Sequence, residues 1–290
     1  MTLGLAVLFI AFGLPAARSA PSDMPIGIAA PEAVASRIDG QLEQNAPGGF
    51  AVTTYRDEAA LRAAIRDREV YGGIAATRDG STLLLASGGS PMVAQLLTQI
   101  GNGIAQQTGA PLHTVDLAPL PPDDPRSTGL AASALPLTLA GLLPVNFWGV
   151  TAGLTLGALA TGLAVLGPGS LFDRTGLGIG TAVAMLLGNP LSGLASAPEM
   201  LPRGWGTLGQ LLPQGANGTL LRSTAYFSGA GATTAIAVLT CWAVAGAALI
   251  ILAGHQGCPR NYTRAAWDST IATRWRPCAP RSTGSAVRTT

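Results

Sequence analysis

The chain has 290 residues, 48% of them hydrophobic and only 11% charged, with a mean hydropathy of +0.38. A soluble globular domain carries about a quarter charged residues, so the composition excludes a purely water-soluble protein and points to a membrane protein. All 17 basic residues are Arg and the formal net charge is +2, so a lysine-dependent phosphate loop is excluded and no nucleic-acid partner is expected.

Charge divides the chain into three regions. Pro21 to Thr128 holds 12 Asp and Glu against 7 Arg. Gly129 to Ala253 holds only Asp173, Arg174, Glu199, Arg203 and Arg222, and the stretch from Gly254 onward has 6 Arg against one Asp. The order is water, lipid, water. Cys241 sits in an apolar run and Cys258 and Cys278 in the tail. None lies between Pro21 and Thr128, so no disulfide framework is expected there.

Residues 1–20 begin with an apolar run, Thr2 to Ala17. Ala17-Arg18-Ser19 loosely fits a signal-cleavage site, but a positively charged n-region is missing. The run is read as a transmembrane anchor, slightly short of the roughly 20 residues that span a bilayer.

Residues 21–128 read as an α/β domain. Strands are predicted at Pro25–Ala29, Phe50–Tyr55, Tyr71–Thr77, Ser81–Ser87 and His113–Ala118, with Arg78-Asp79-Gly80 as a hairpin turn between the third and fourth. Pro31 opens a helix with Val34, Ile38 and Leu42 on its apolar face. Asp57 caps the next, which turns Leu61 and Ile65 inward and pairs Glu58 with Arg62. Ser90-Pro91 starts a third, with Val93, Leu96, Leu97, Ile100 and Ile104 at helical spacing. The order β-α-β-α-β-β-α-β predicts a mixed sheet with helices packed on it. Leu120 to Arg126, with three Pro and the pair Asp123-Asp124, reads as a stiff polar linker.

Residues 129–253 form the membrane block. Leu130–Leu143 is too short to span and reads as re-entrant or interfacial. Phe147–Leu166 is a span with Trp148 at one end, Phe172 to Gly176 a polar connection, and Leu177–Ala197 a second span broken at Gly188-Asn189-Pro190. Such a break is tolerated at membrane depth only where protein or a water-filled cavity satisfies the freed backbone groups. The connector 198–231 follows. Leu201, Trp205, Leu208, Leu211 and Leu212 recur at helical spacing, which predicts one amphipathic helix lying along the membrane surface or dipping into it. Glu199 and Arg203 form an i,i+4 pair there, and Trp205 reads as an interface anchor. Thr233–Leu252 is the last span, and 254–290 reads as a disordered basic tail.

The positive-inside rule puts the tail in the cytoplasm and, working backwards, the connector and the α/β domain outside. The expected architecture is an integral membrane α-helical bundle of about four spans with an inserted extracytoplasmic α/β domain. No metal or cofactor motif occurs: the 2 histidines, His113 and His255, fall on opposite sides of the bilayer in this topology, which argues against a His-dependent catalytic site.

Four stretches carry a resemblance: PAARSAPSDMPIGIAAP, RDREVYGGIAAT with LLLASGGSPMVAQLL, DLAPLPPDDPRSTG, and the run from Gly188 to Phe227. Together they resemble bacterial type-2 ABC exporter permeases of the phage-infection-protein (YhgE-like) kind. The resemblance covers roughly residues 2 to 253, and the last stretch is the most specific. It implies a membrane subunit that dimerises, pairs with a separate ABC ATPase, and moves lipids, polymers, peptides or drugs. It implies that Gly188–Phe227 is the outward-facing break and connector before the last span, and it carries over no catalytic residue. One departure stands out: a helix pair expected before Asn146-Phe147-Trp148 is missing, because Pro144 follows Leu143 at once. The expected function is an exporter subunit with a path at Asn189, Pro190, Glu199, Arg203 and Trp205. The alternative is a membrane-anchored receptor or scaffold whose α/β domain does the binding, or a reduced relative that no longer transports.

Overall fold

Five short strands with apolar residues on both faces require cover on both sides, and three helices supply it. The computed structural model describes residues 20–77, 80–109, 111–120, 147–188, 191–193, 197–202 and 204–255. The elements are β1 (Met24–Ala29), α1 (Glu32–Asn45), β2 (Phe50–Thr54), α2 (Glu58–Arg66), β3 (Gly72–Thr77), β4 (Gly80–Leu85), α3 (Pro91–Thr108) and β5 (Leu112–Asp116). The sheet order is β2-β1-β3-β4-β5, parallel except for the antiparallel β3–β4 hairpin, in which Thr77 pairs with Gly80.

Alternation along the strands splits the core in two. Ile26, Ile28, Ile74, Leu83 and Leu85 face α1 and α3, packing with Ile38, Leu42, Val93 and Leu97. Ala75 and Leu84 face the other way, against Leu61, Ala64 and Ile65 of α2. Both helix caps read from the sequence are present: Asp57 accepts from Ala60 N at 2.7 Å and Ser90 from Val93 N at 3.4 Å. The Glu58–Arg62 pair closes at 2.6 Å. Val34 differs from expectation. It is 38% exposed, and Ala35 takes the buried place beside Ile38, because Ala35, Ile38 and Leu42 at i, i+3 and i+7 share the inward face and Val34 falls at its edge.

The rest of the described chain is helical: α4 (Phe147–Val183), a π-helical turn (Ala184–Gly188), a 3₁₀ turn (Pro198–Met200), α5 (Trp205–Leu211), α6 (Pro213–Tyr226) and α7 (Thr233–His255). Two stretches, Phe147–Phe172 and Thr233–Gly254, are long and apolar enough to cross a membrane, with mean hydropathies of 1.7 and 2.5. Only 22% of each window is buried, unlike the core helix of a soluble protein. Trp148, Phe172, Val244 and Ile251 are all more than half exposed, a surface of the kind that a bilayer or another protein covers.

α4 is helical throughout its 37 residues, yet it is not straight. A straight helix would hold Val165 and Gly180 about 22 Å apart at 1.5 Å per residue. Instead a Cβ on Gly180 would lie 3.3 Å from Val165 Cα, and one on Gly169 would lie 3.5 Å from Leu177 Cβ. The chain therefore doubles back after Pro168, at the polar run Phe172 to Gly176. The returning arm ends in the π turn at Gly188, immediately before Asn189 and Pro190, where the sequence predicts a break. It does not resume as a span through Ala197. Gly193 has φ +67°, and Ala197 already belongs to the α1/α3 side of the sheet core.

The connector also departs from expectation. The five apolar residues Leu201, Trp205, Leu208, Leu211 and Leu212 do not share one helix, because α5 is only 7 residues long. Leu201 is buried before it starts, and Leu212, in extended geometry, ends it ahead of Pro213. α5 and α6 instead form a helical hairpin: a Cβ on Gly215 would lie 2.7 Å from the Gly209 carbonyl carbon. α6 is buried along most of its length and runs antiparallel to the first arm of α4, with Leu220 opposite Gly153 and Asn217 opposite Gly157. The hairpin tip is placed by Trp242, whose Nε1 donates to Leu211 O at 2.8 Å. Trp242 lies nine residues into α7, about 13 Å along its axis. The hairpin thus packs alongside α4 and α7. The expected anchor at 1–20, the short segment 130–143, the linker pair Asp123-Asp124 and the basic tail 254–290 lie outside the described residues, apart from Ala20 and the last residues of α7.

Candidate functional site

The hairpin and its lead-in dock on the sheet domain at both faces. Ala197 and Met200 complete the α1/α3 core, while Phe227 completes the α2 core. Gly88 and Gly89 make room for the second contact: a Cβ on Gly88 would lie 2.6 Å from Tyr226 Cγ, and one on Gly89 3.3 Å from Phe227 Cζ. Between these attachments lies a partly open cavity of about 730 Å³. One wall is the sheet domain, with Asp23, Pro25, Arg68, Val70 and Tyr71; the other is the connector, with Glu199, Leu201, Gln210, Thr219, Arg222 and Phe227.

Arg68 reaches the cavity through an unusual backbone. It follows α2 with φ +62°, the left-handed place after a helix that glycine normally takes. Arg68 N bonds Ile65 O at 3.2 Å and Glu69 N bonds Ala64 O at 2.9 Å, the two bonds of a Schellman closure. From there its guanidinium extends to α6. Nη1 donates to Thr219 O at 3.3 Å and to Ser223 Oγ, and the group lies 5.2 Å above the Phe227 ring. Burial lowers its pKa, opposed by Tyr71 and Glu199.

Tyr71 and Glu199 form the second polar pair. The Tyr71 hydroxyl donates to Glu199 Oε2 at 2.7 Å, and Glu199 O accepts from Ser22 N at 3.0 Å. Burial pushes the Tyr71 hydroxyl well above its ordinary value, and Glu199 pushes the same way. A third set closes the helix break. Arg222, 5% exposed, donates to Gly193 O at 2.9 Å, and Gln210 donates to Ser192 O at 3.3 Å while accepting from Thr219 at 2.6 Å. These side chains satisfy the carbonyls that follow the break at Gly188-Asn189-Pro190, the condition under which irregular backbone survives at membrane depth.

Of the sequence-predicted site residues, Glu199 lines the cavity and Trp205 opens α5, 44% exposed beside the exposed Leu208 and Leu211. Asn189, Pro190 and Arg203 lie outside the described residues. Glu199 sits in a 3₁₀ turn, not on a helix shared with residue 203, and its described partner is Tyr71. The sequence reading did not single out Arg68, Tyr71 or Arg222. Arg222 had a legible signal, being one of five charged residues in an apolar block of more than a hundred. Arg68 had none, since it reads as an ordinary charged turn. Among the described residues, no three His, Cys, Asp or Glu side chains lie together as a metal-binding group. No protein-family model, curated protein or solved structure matches the chain.

Proposed function

We propose that this chain is the permease-like membrane subunit of an exporter, handling an amphipathic molecule with energy supplied by a separate ABC-type ATPase. In this reading the protein is multi-pass in the cell membrane. The sheet domain lies outside, the α5–α6 hairpin enters the bilayer from that side, the Arg-rich tail lies in the cytoplasm, and a second copy completes the path. The observation that carries it is the hairpin itself. It joins a cavity with polar and apolar walls to helices that a bilayer would cover, which suits a molecule with a polar head and an apolar tail. The resemblance of Gly188–Phe227 to the connector of exporter permeases supports the same assignment, and the absence of lysine leaves energy coupling to a partner.

Purification from native membranes in mild detergent tests it. A nucleotide-binding subunit should co-purify at fixed stoichiometry, and repeated failure to find one ends the exporter reading. Orientation is checked by single cysteines at Ser81 and Ser282 in a cysteine-free background. Only Ser81→Cys should react with an impermeant maleimide on intact cells.

A receptor or scaffold is the second reading, favoured by the sheet domain's share of the cavity wall. A ligand bound without any associated ATPase would select it.

A further inference from the structure

The cavity between the sheet domain and the hairpin has an uneven balance of buried charge. Arg68 and Arg222 both line it. Arg68 is held by neutral groups: a carbonyl, a hydroxyl and the face of a ring. Of the two carboxylates on the wall, Asp23 is exposed and Glu199, which accepts from Tyr71, is the one that acts on both guanidinium groups, so two positive charges share it. A half-buried guanidinium whose hydrogen bonds go to neutral acceptors gains from an anion that can take its remaining N–H groups, because charge-assisted bonds are about twice as strong as neutral ones.

The remaining walls are apolar, with Pro25, Val70, Leu201 and Phe227. α5 turns Gly206, Thr207 and Gln210 to the cavity, while Trp205, Leu208 and Leu211, each 44–56% exposed, lie on its other face. A ligand that satisfied both halves would place a charged head at Arg68 and lay its apolar part along Pro25, Val70 and Leu201.

We propose that this cavity binds the anionic headgroup of an amphiphile, a phosphate ester or a carboxylate, with Arg68 as the contact residue and Arg222 as the second positive charge. The proposal rests on the reading that the chain handles an amphipathic molecule, and it names the class of head. Arg222 also holds the helix break, so the diagnostic variants are placed elsewhere.

The test uses the purified full-length chain in neutral maltoside micelles. Dodecyl phosphate is the probe, inorganic phosphate supplies the head alone, and dodecyltrimethylammonium supplies the tail with the opposite charge. Calorimetric titration should show saturable binding of dodecyl phosphate and none of the cation. Arg68→Gln should weaken binding about tenfold or more, the loss of a charge-assisted bond, whereas the exposed Arg66→Gln should leave it unchanged. Glu199→Gln keeps an acceptor for Tyr71 and removes the opposing charge, so it should tighten binding by about threefold.

Equal binding of the cation, or full affinity in a folded Arg68→Gln, overturns the proposal. If Arg68→Gln does not fold, Glu199→Gln decides, and affinity that fails to rise overturns it. Inorganic phosphate competing as well as dodecyl phosphate overturns the amphiphile and leaves a free anion. Loss of anion binding while an ATPase still co-purifies removes this proposal alone. Anion binding with no ATPase removes the exporter reading alone.

Discussion

Phe227→Ala tests whether the sheet domain and the hairpin share one core. Phe227 is 9% exposed and packs with Leu61, Ile65, Val70 and Leu84, although it follows α6 in sequence. Truncating a buried Phe costs about 3–5 kcal/mol, and loss of the Arg68 guanidinium over the ring, 5.2 Å away, adds up to about 1 kcal/mol. Phe227 sits at the edge of its cluster, so the low end, about 3 kcal/mol, is the expectation, or on the order of a hundredfold in the opening equilibrium. Amide hydrogen exchange on the full-length protein in micelles reads this segment by segment. Exchange should accelerate on that scale in α2, β3 and β4 as well as in α6. Val34→Ala, at a site 38% exposed, should change exchange little. If Phe227→Ala loosens only residues 213–232 and leaves Leu61–Ile65 and Ala75 protected as before, the shared core is refuted.

Arg68 holds a left-handed backbone, so Arg68→Gly should retain about 1 kcal/mol more stability than Arg68→Ala, both lacking the side chain; equal thermal midpoints would contradict this. A Cβ on Gly246 would sit 2.8 Å from Leu163 Cβ, so Gly246→Leu should force α4 and α7 apart and lower the thermal midpoint in detergent, whereas Gly254→Leu, with open space around it, should not. Tyr71 titrates above its ordinary 10.0, first through burial and then through Glu199. The unfolded chain therefore releases this proton sooner. The stability tied to it is intact below pH 10 and falls as pH rises beyond. Urea unfolding across that range should show the decline, and Tyr71→Phe should flatten it.

The sheet domain was legible because its signals are local. Asp57 and Ser90 cap helices within their own turns, Thr77 and Gly80 pair across the hairpin, and β1 and β3 are short, mostly apolar runs. The two helices long enough to cross a membrane were legible by length and hydropathy, and the reversal at Phe172 to Gly176 by its polarity. The connector was misread because periodicity says only that residues could share a helix face. It does not say that the helix is continuous, and Leu212-Pro213 cuts this one. The residue before a proline is pushed out of helical geometry, and Leu212 is extended, with ψ 150°. The cavity was not legible, since Arg68 meets Ser223 across 155 positions and Tyr71 meets Glu199 across 128. No spacing rule reaches that far.

Those two long-range contacts also determine how the site can respond to its surroundings. α6 presents Asn217 to Gly157 and Gln214 to Gly188, both close approaches to α4 and the turn that ends it. The same helix carries Ser223, which holds Arg68, and Arg222, which holds Gly193. Displacing α6 would therefore move Arg222 and break the Thr219 and Ser223 contacts that hold Arg68. Each end of the connector is fixed in a different face of the sheet core, Met200 in one and Phe227 in the other. The sheet domain cannot follow such a movement without opening one of its cores. The cavity wall thus depends on both the position of α6 and the integrity of the sheet cores.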